Sequence, residues 1–304
     1  MPLAPDRLDR ASDIDDPRLA DFRLMRDRDL LGRAGRPGLF IGESLLVVER
    51  MARVPGVLKT VLVAEDRVDE VTALDGIDRA ACVVAAPRAL VAEVTGFYFH
   101  RGVIASGFRE PLESRTVDQV LAGASCALIC DDISNMDNAG ALFRDGAAFG
   151  VDAVVLSRDS HDPLYRKCLR TSMGHALSVP FARVGAGAKG LAGANGTAGA
   201  VRDMVAAGWI VLGTSIDASA EPLREWVDSI AATTAPLRVA VVVGHEHRGV
   251  SANVLEACSR RVRIPMATGV DSLNVSVAAA VVLHEVTRVG ARAMPMRFDT
   301  PPPG

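Results

Sequence analysis

The sequence predicts an α/β protein in two parts, the second built on a mostly parallel sheet. Three observations predict it. Short β-branched or apolar runs alternate with segments of helical periodicity along most of the chain. In the second half these runs are nearly continuously apolar, as in CALICD (126–131) and RVAVVV (238–243), the pattern of strands buried on both faces. With 304 residues the chain is longer than one typical domain of about 100–200 residues, so two domains are expected.

Residues 1–20 are rich in Asp, Arg and Pro, lack periodicity and read as a flexible arm. Residues 21–109 then carry a small α/β pattern. GLFIGE is strand-like and leads into SLLVVERMARV, where Leu45, Val48 and Met51 fall near helical spacing. VLKTVLVAE (57–65) and ACVVAA (81–86) are strand-like, and PRALVAEVTG reads as a helix with Pro87 at its start. FREPLESRTVDQVL (108–121) is charged, contains Pro111 and interrupts the alternation, so residues 110–121 read as a linker.

The second domain is expected over 122–292. Its candidate strands are 126–131, 153–157, 177–181, 209–213, 238–243 and 261–264, and its candidate helices 138–149, 163–171, 198–207, 221–232 and 272–289. The last helix is apolar on most sides (VSVAAAVVL), which suits a core or a subunit interface. Residues 293–304 end in FDTPPPG and read as a tail.

Composition narrows the function. A hydrophobic fraction of 49% with 23% charged residues is that of an ordinary globular protein, and no apolar run reaches the roughly 20 residues needed to span a bilayer. The polar, acidic N-terminus lacks a secretory h-region, so a cytoplasmic location is expected. A net charge of -3 excludes coating nucleic acid by bulk electrostatics but leaves room for a local basic patch. The five cysteines (Cys82, Cys126, Cys130, Cys168 and Cys258) are scattered and lack zinc-site spacing, so buried free thiols are expected.

Three constellations carry chemistry. The first follows strand 126–131: Asn135, Asn138, Gly140 and Arg144, with Asn138 placed as a helix N-cap and Ala139, Leu142, Phe143 and Ala147 facing inward. Arg144 lies off that apolar stripe and offers a permanently charged fork suited to phosphate, though taken alone it reads more readily as a surface arginine in an exposed ion pair. The second is Gly244-His-Glu246-His-Arg-Gly249, at the C-terminal end of a buried strand, where open α/β sheets bind ligands. His245 and His247 are not the i, i+4 pair of a zinc helix and no third ligand is evident, so no metal is expected. The third is Ile264-Pro265-Met266, followed by Ser272-Leu273-Asn274-Val275-Ser276 at the start of the last helix, which Ser272 or Asp271 is placed to cap.

In order, N-x-x-N-x-G-x-x-x-R, G-x-E-x-x-G and I-P-M with S-L-N-V-S resemble the SpoU (TrmH-like) family of the SPOUT superfamily over about 120–292. The resemblance implies a C-terminal domain with a deep trefoil knot and a preceding small α/β domain that binds RNA. It implies S-adenosylmethionine as cofactor, a homodimer whose pockets draw on both subunits, and transfer of a methyl group to a ribose 2′-hydroxyl. Matched onto this chain, the catalytic polar set is Asn138, Arg144, Glu246, Ser272 and Asn274, and the cofactor contacts fall at Gly244, Ile264, Met266 and Leu273. The substrate that the resemblance implies is a structured RNA, with ribosomal RNA slightly favoured over transfer RNA. Met136 stands where a proline is common, and His247 and Arg248 where small residues are common. These changes bear on substrate preference more than on activity.

Rival functions are an rRNA methyltransferase conferring antibiotic resistance, an inactive knotted protein that binds RNA or cofactor, and a nicotinamide-dependent oxidoreductase. The last rests on Gly185-Ala-Gly187-Ala-Lys-Gly190, a G-x-G-x-x-G match. It lacks an acidic residue about 20 positions on, and the glycine-rich 185–199 stretch reads as a surface loop.

Overall fold

A computed structural model describes residues 2–23, 26–32, 37–96, 101–185, 196–231, 233 and 236–290. Two compact units form, one from residues 1–114 with 162–178, the other from 115–161 with 179–304. Residues 162–178 therefore cluster with the first unit, although the sequence places them inside a continuous second domain.

In the first unit the strands are β1 (Leu8–Arg10), β2 (Leu39–Glu43), β3 (Leu58–Ala64), β4 (Cys82–Ala86) and β5 (Val103–Phe108), in the order β1-β4-β3-β5-β2. β1, β4 and β3 are mutually parallel, whereas β5 runs antiparallel to β3 and β2. Helices α1 (Leu45–Arg53), α2 (Val68–Thr72), α3 (Arg88–Thr95) and α4 (Glu110–Glu113) complete residues 1–114. The core on one side joins Ile41, Leu62, Val84 and Ile104 to Leu90, Val91 and Val94.

The expected flexible arm over 1–20 is corrected. β1 pairs Leu8 with Val83, and Leu19 and Phe22 are fully buried. Burying each such side chain contributes about 1.5–3 kcal/mol, which offsets part of the cost of ordering the segment, about 1–2 kcal/mol per residue. Asp16 secures the turn between them by accepting from the Arg18 amide at 2.9 Å.

The second unit begins with α5 (Val117–Leu121), whose Thr116 and Gln119 form a reciprocal capping box. It continues through β6 (Cys126–Asp131), α6 (Met136–Ala148) and β7 (Ala153–Leu156). The chain then contributes α7 (Arg166–Thr171) to the first unit, where Arg166 meets Glu43 at 3.2 Å and Asp27 at 3.7 Å. It resumes with β8 (Phe181–Arg183), α8 (Gly196–Ala206), β9 (Ile210–Thr214), β10 (Glu221–Pro222) and α9 (Leu223–Ile230). β11 (Val239–Gly244), α10 (Ala252–Ala257), β12 (Arg260–Arg263) and α11 (Val275–Gly290) end the described chain.

The seven strands order as β10-β12-β9-β11-β6-β7-β8, and every pairing is parallel. The mostly parallel α/β architecture expected from the continuous apolar runs is thus present. Every residue of β6 and β11 is buried, and their register aligns Val239 with Cys126 and Gly244 with Asp131. That register brings Asp131 and Gly244 side by side at the C-terminal edge, from which both motif loops depart.

Two local expectations shift. The strand expected over 177–181 begins at Phe181, and residues 175–177 form one tight helical turn. Pro180 has no N–H for a ladder, but its carbonyl still accepts from the Val154 amide at 2.9 Å. The expected tail over 293–304 and positions Gly187 and Gly190 of the glycine-rich loop lie outside the described residues. Among the described residues no helix is long and apolar enough to cross a membrane.

Candidate active site

A cavity of about 430 Å³ opens at the C-terminal edge of the second unit's sheet. Three segments wall it: Thr214–Ile216 after β9, Gly244–Val250 after β11, and the stretch from Val262 into the start of α11. Gly244, Ile264, Met266 and Leu273, the four positions matched to cofactor contacts, all lie on this wall, as do Glu246 and Ser272. Asn138, Asn274 and Arg144 are not among its lining residues.

Gly244 has an ordinary φ, so its requirement for glycine is one of space. A Cβ there would overlap the backbone of Gly249 and Val250. The loop closes this tightly because Gly249, in the left-handed region at φ 68°, donates its N–H to the His245 carbonyl at 2.8 Å. Asp131 pins the far side of the loop, accepting from the Ser251 amide at 2.9 Å and from its hydroxyl at 2.7 Å.

Glu246 ties the motifs together. One carboxylate oxygen accepts from the Asn135 amide at 3.1 Å and from Asn138 Nδ2 at 2.9 Å. The other accepts from the Ser134 hydroxyl at 3.0 Å and the Ser134 amide at 3.4 Å. Asn138 Oδ1 in turn accepts from Asn274 Nδ2 at 3.0 Å. A relay Asn274–Asn138–Glu246 thus links the start of α11, the first turn of α6 and the loop after β11.

Burial raises the Glu246 pKa. The Asn138 amide, the loop's own N–H, the Asn135 N–H and the Ser134 hydroxyl outweigh that effect and hold it at about 2. His245 Nδ1 lies 4.0 Å from this carboxylate but accepts from the His247 amide at 3.1 Å, so it does not donate to Glu246. Glu246 is a carboxylate at neutral pH, held by neutral donors.

Two capping assignments are corrected. Asn135, not Asn138, is the N-cap of α6, its side chain accepting from the amides of Asp137 at 2.8 Å and Asn138 at 3.2 Å. Asn138 sits inside the first turn, which frees its amide for the relay. Likewise Asn274, rather than Ser272 or Asp271, caps α11, accepting from the Ser276 amide at 2.9 Å. Ala139, Leu142 and Phe143 face inward as expected, and Ala147 is half-buried.

Arg144 is exposed on α6, and its guanidinium makes no hydrogen bond or ion pair among the described residues. Burial pushes the Cys126 and Cys130 thiols up to about 12, so neither supplies a nucleophile at neutral pH. Among the described residues no group of three or more His, Cys, Asp or Glu could hold a metal. The sequence motifs missed Thr214, Ser215 and Ile216. Their signal was present, since they leave the end of the buried run WIVLGT, the strand edge where such sheets bind ligands.

Comparison with known proteins gives the family. The model of the SpoU rRNA Methylase family matches residues 125–284. An uncharacterized tRNA/rRNA methyltransferase of Mycobacterium tuberculosis is 38% identical over 300 residues, covering 94% of each chain. The 23S rRNA (guanosine-2′-O-)-methyltransferase RlmB of Acinetobacter baylyi is 32% identical over 208 residues, 67% of this chain and 77% of the relative. An rRNA methyltransferase from Sinorhizobium meliloti shares the fold with a TM-score of 0.69 at 21% identity, covering 93% of this chain and 98% of that one. So does the SpoU methyltransferase AviRb of Streptomyces viridochromogenes, solved in complex with AdoMet, with a TM-score of 0.63 at 20% identity over 90% and 98% of the two chains. With its matched domain, its near full-length relative and its three motifs gathered at one sheet edge, the chain belongs to the SpoU rRNA methylase family.

Proposed function

We propose that this protein transfers a methyl group from S-adenosylmethionine to a ribose 2′-hydroxyl of a structured RNA, with ribosomal RNA as the favoured substrate. The observation that carries the proposal is the cavity whose wall holds Gly244, Ile264, Met266 and Leu273 together, beside the Glu246–Asn138–Asn274 relay. Its volume of about 430 Å³ falls in the usual range for small-molecule sites, about 300–1,000 Å³. Apolar side chains and close-packed backbone around Gly244 suit an adenine nucleoside held by main-chain groups. The relatives' names support RNA as the methyl acceptor, and RlmB's supports the ribose and ribosomal RNA.

When bound, S-adenosylmethionine supplies a methyl group on a sulfonium, an electrophile that needs no metal. The chain's own residues then position and exclude water. Glu246 and Asn138 keep the motif loops in register, and Asn274 fixes the start of α11 against them. Ser272, exposed on the cavity wall, offers a hydroxyl to the incoming nucleotide. Arg144 clamps a substrate phosphate and stabilises negative charge emerging on the 2′-oxygen, whose proton passes to solvent.

Since Arg144 does not line the cavity of its own chain, a homodimer in which it serves the partner's site is part of the proposal. The exposed Val277 and Val281 on α11 give a second copy an apolar strip to cover. The family's knot belongs to the same proposal, as do an RNA-contacting role for the first unit and a cytoplasmic location. Incubation with methyl-labelled cofactor and unmodified rRNA and tRNA transcripts tests it. The expected result is label in rRNA, in dinucleotides that resist alkaline hydrolysis. Label confined to bases, or absent from every transcript, refutes it.

A further inference from the structure

We propose that His247 and Arg248 form the rim that reads the target RNA: an unpaired base stacks on the His247 imidazole while an adjoining phosphate takes the Arg248 guanidinium. The assignment rests on the methyl-transfer function proposed above and gives that site its substrate contact.

The loop that carries both residues is fixed while its tip is open. Gly244 admits no side chain, Glu246 is held by four donors, and the Gly249 amide closes on His245. Between these anchors His247 and Arg248 are exposed, and both lie on the cavity wall. A backbone already fixed avoids the ordering cost that a mobile loop would add on binding.

The side-chain chemistry fits a nucleotide. His245 stands behind His247, with ring centroids 5.8 Å apart at an interplanar angle of 47°. The His247 amide donates to His245 Nδ1 at 3.1 Å, which orients the rear ring and leaves the front imidazole as an exposed plane. Unpaired RNA bases stack on such rings, and Arg forks bind phosphate in two-point fashion.

Arg248 now pairs with Asp132 at 2.5 Å, but their side chains are 71% and 36% exposed. An exposed pair of this kind contributes little, so a phosphate displaces the carboxylate at small cost. Asp271, also exposed on the wall, keeps the rim from being uniformly basic, so contact depends on register rather than bulk charge.

The test uses the full chain loaded with S-adenosylhomocysteine, and unmodified 16S and 23S rRNA transcripts, in filter binding across a salt series. His247→Ala is expected to weaken binding about 5- to 100-fold, the range of one lost base stack, and His247→Phe to restore most of it. Arg248→Ala is expected to lower the slope of log affinity against log salt by about 1. Because both residues sit at the rim of the cofactor cavity, calorimetric affinity for S-adenosylhomocysteine is expected to change far less than RNA affinity in all three variants.

Equal loss with Ala and Phe at 247, an unchanged salt slope at 248, or cofactor affinity falling in step with RNA affinity overturns the assignment. Methyl transfer to the same transcripts separates the two proposals. Wild-type protein that binds through these residues but methylates no ribose refutes the function and leaves the rim standing. Wild-type protein that methylates a ribose, with variants that bind as it does, refutes the rim alone.

Discussion

In the first unit Arg109, 5% exposed, is met by two carboxylates, Glu113 at 2.6 Å and Asp162 at 2.5 Å. In the second unit Glu246 has four neutral donors and, among the described residues, no Lys or Arg paired with it. Both networks join segments distant in sequence, yet they hold charge differently. Around Arg109 the buried cation is matched by two partly exposed carboxylates, and the cluster serves to hold residues 109–113 to the return segment at 162. Around Glu246 the donors fix geometry without cancelling the charge, so a full negative charge remains on the wall of the cavity. Such a wall favours a positively charged ligand over a neutral one of the same shape.

The largest effect expected from this contrast lies in the first unit. Arg109→Ala removes the cation from a buried cluster and is expected to cost about 3–5 kcal/mol of stability. Chemical denaturation checks it, and a loss confined to a few tenths would place the cluster at the surface in energetic terms. Methyl transfer per folded molecule should stay near wild type, because no cavity residue is touched.

Glu246→Gln comes next, at about 1.5–3 kcal/mol, the range for hydrogen bonds to a charged group. The sign of its pH dependence is fixed by the lowered pKa, about 2 against an ordinary 4.5. The carboxylate's contribution is fully present above pH 4.5 and is lost as pH falls towards 2. The variant should therefore lack this acid limb in a plot of stability against pH. It should also lose affinity for cationic S-adenosylmethionine on the order of tenfold relative to neutral-sulfur S-adenosylhomocysteine, and equal loss for both would contradict the charged-wall account.

Asn274→Ala removes both the α11 cap and the far end of the relay. About 1 kcal/mol is expected from the cap. Asn274→Asp, which keeps a capping oxygen but loses the amide donor to Asn138, should recover most of that stability without recovering methyl transfer. Recovery of both would reduce Asn274 to a cap.

Legibility in the sequence followed burial and length. β6 and β11 were readable because CALICD and RVAVVV are apolar throughout and buried on both faces. β1 was not, because Leu-Asp-Arg is three residues long with two of them exposed, and its pairing comes from β4 rather than its own pattern. β5, Val-Ile-Ala-Ser-Gly-Phe, is disguised by small residues that suit its place between β3 and β2. α10 spans only six residues, too few to show a helical period.

The site divides in the same way. Motif order and strand-end position pointed to Gly244, Glu246, Ile264 and Met266, and the fold brings them to one cavity. Which asparagine caps and which one relays could not be read, because only the extended backbone of Asn135, at ψ 126°, and the side-chain contact of Asn138 with Glu246 tell the two apart. The Asn138–Asn274 contact spans 136 residues and exists only once the sheet is assembled.

The central claim, that these motifs form a methyl-transfer site needing a phosphate clamp, is tested most directly by Arg144→Ala. Methyl transfer to an rRNA transcript and calorimetric affinity for S-adenosylmethionine are measured on the same preparation. The account predicts a loss of transfer of at least about 100-fold, as for removal of one electrostatic stabiliser, with cofactor affinity unchanged. Transfer at the wild-type rate in that variant would contradict it.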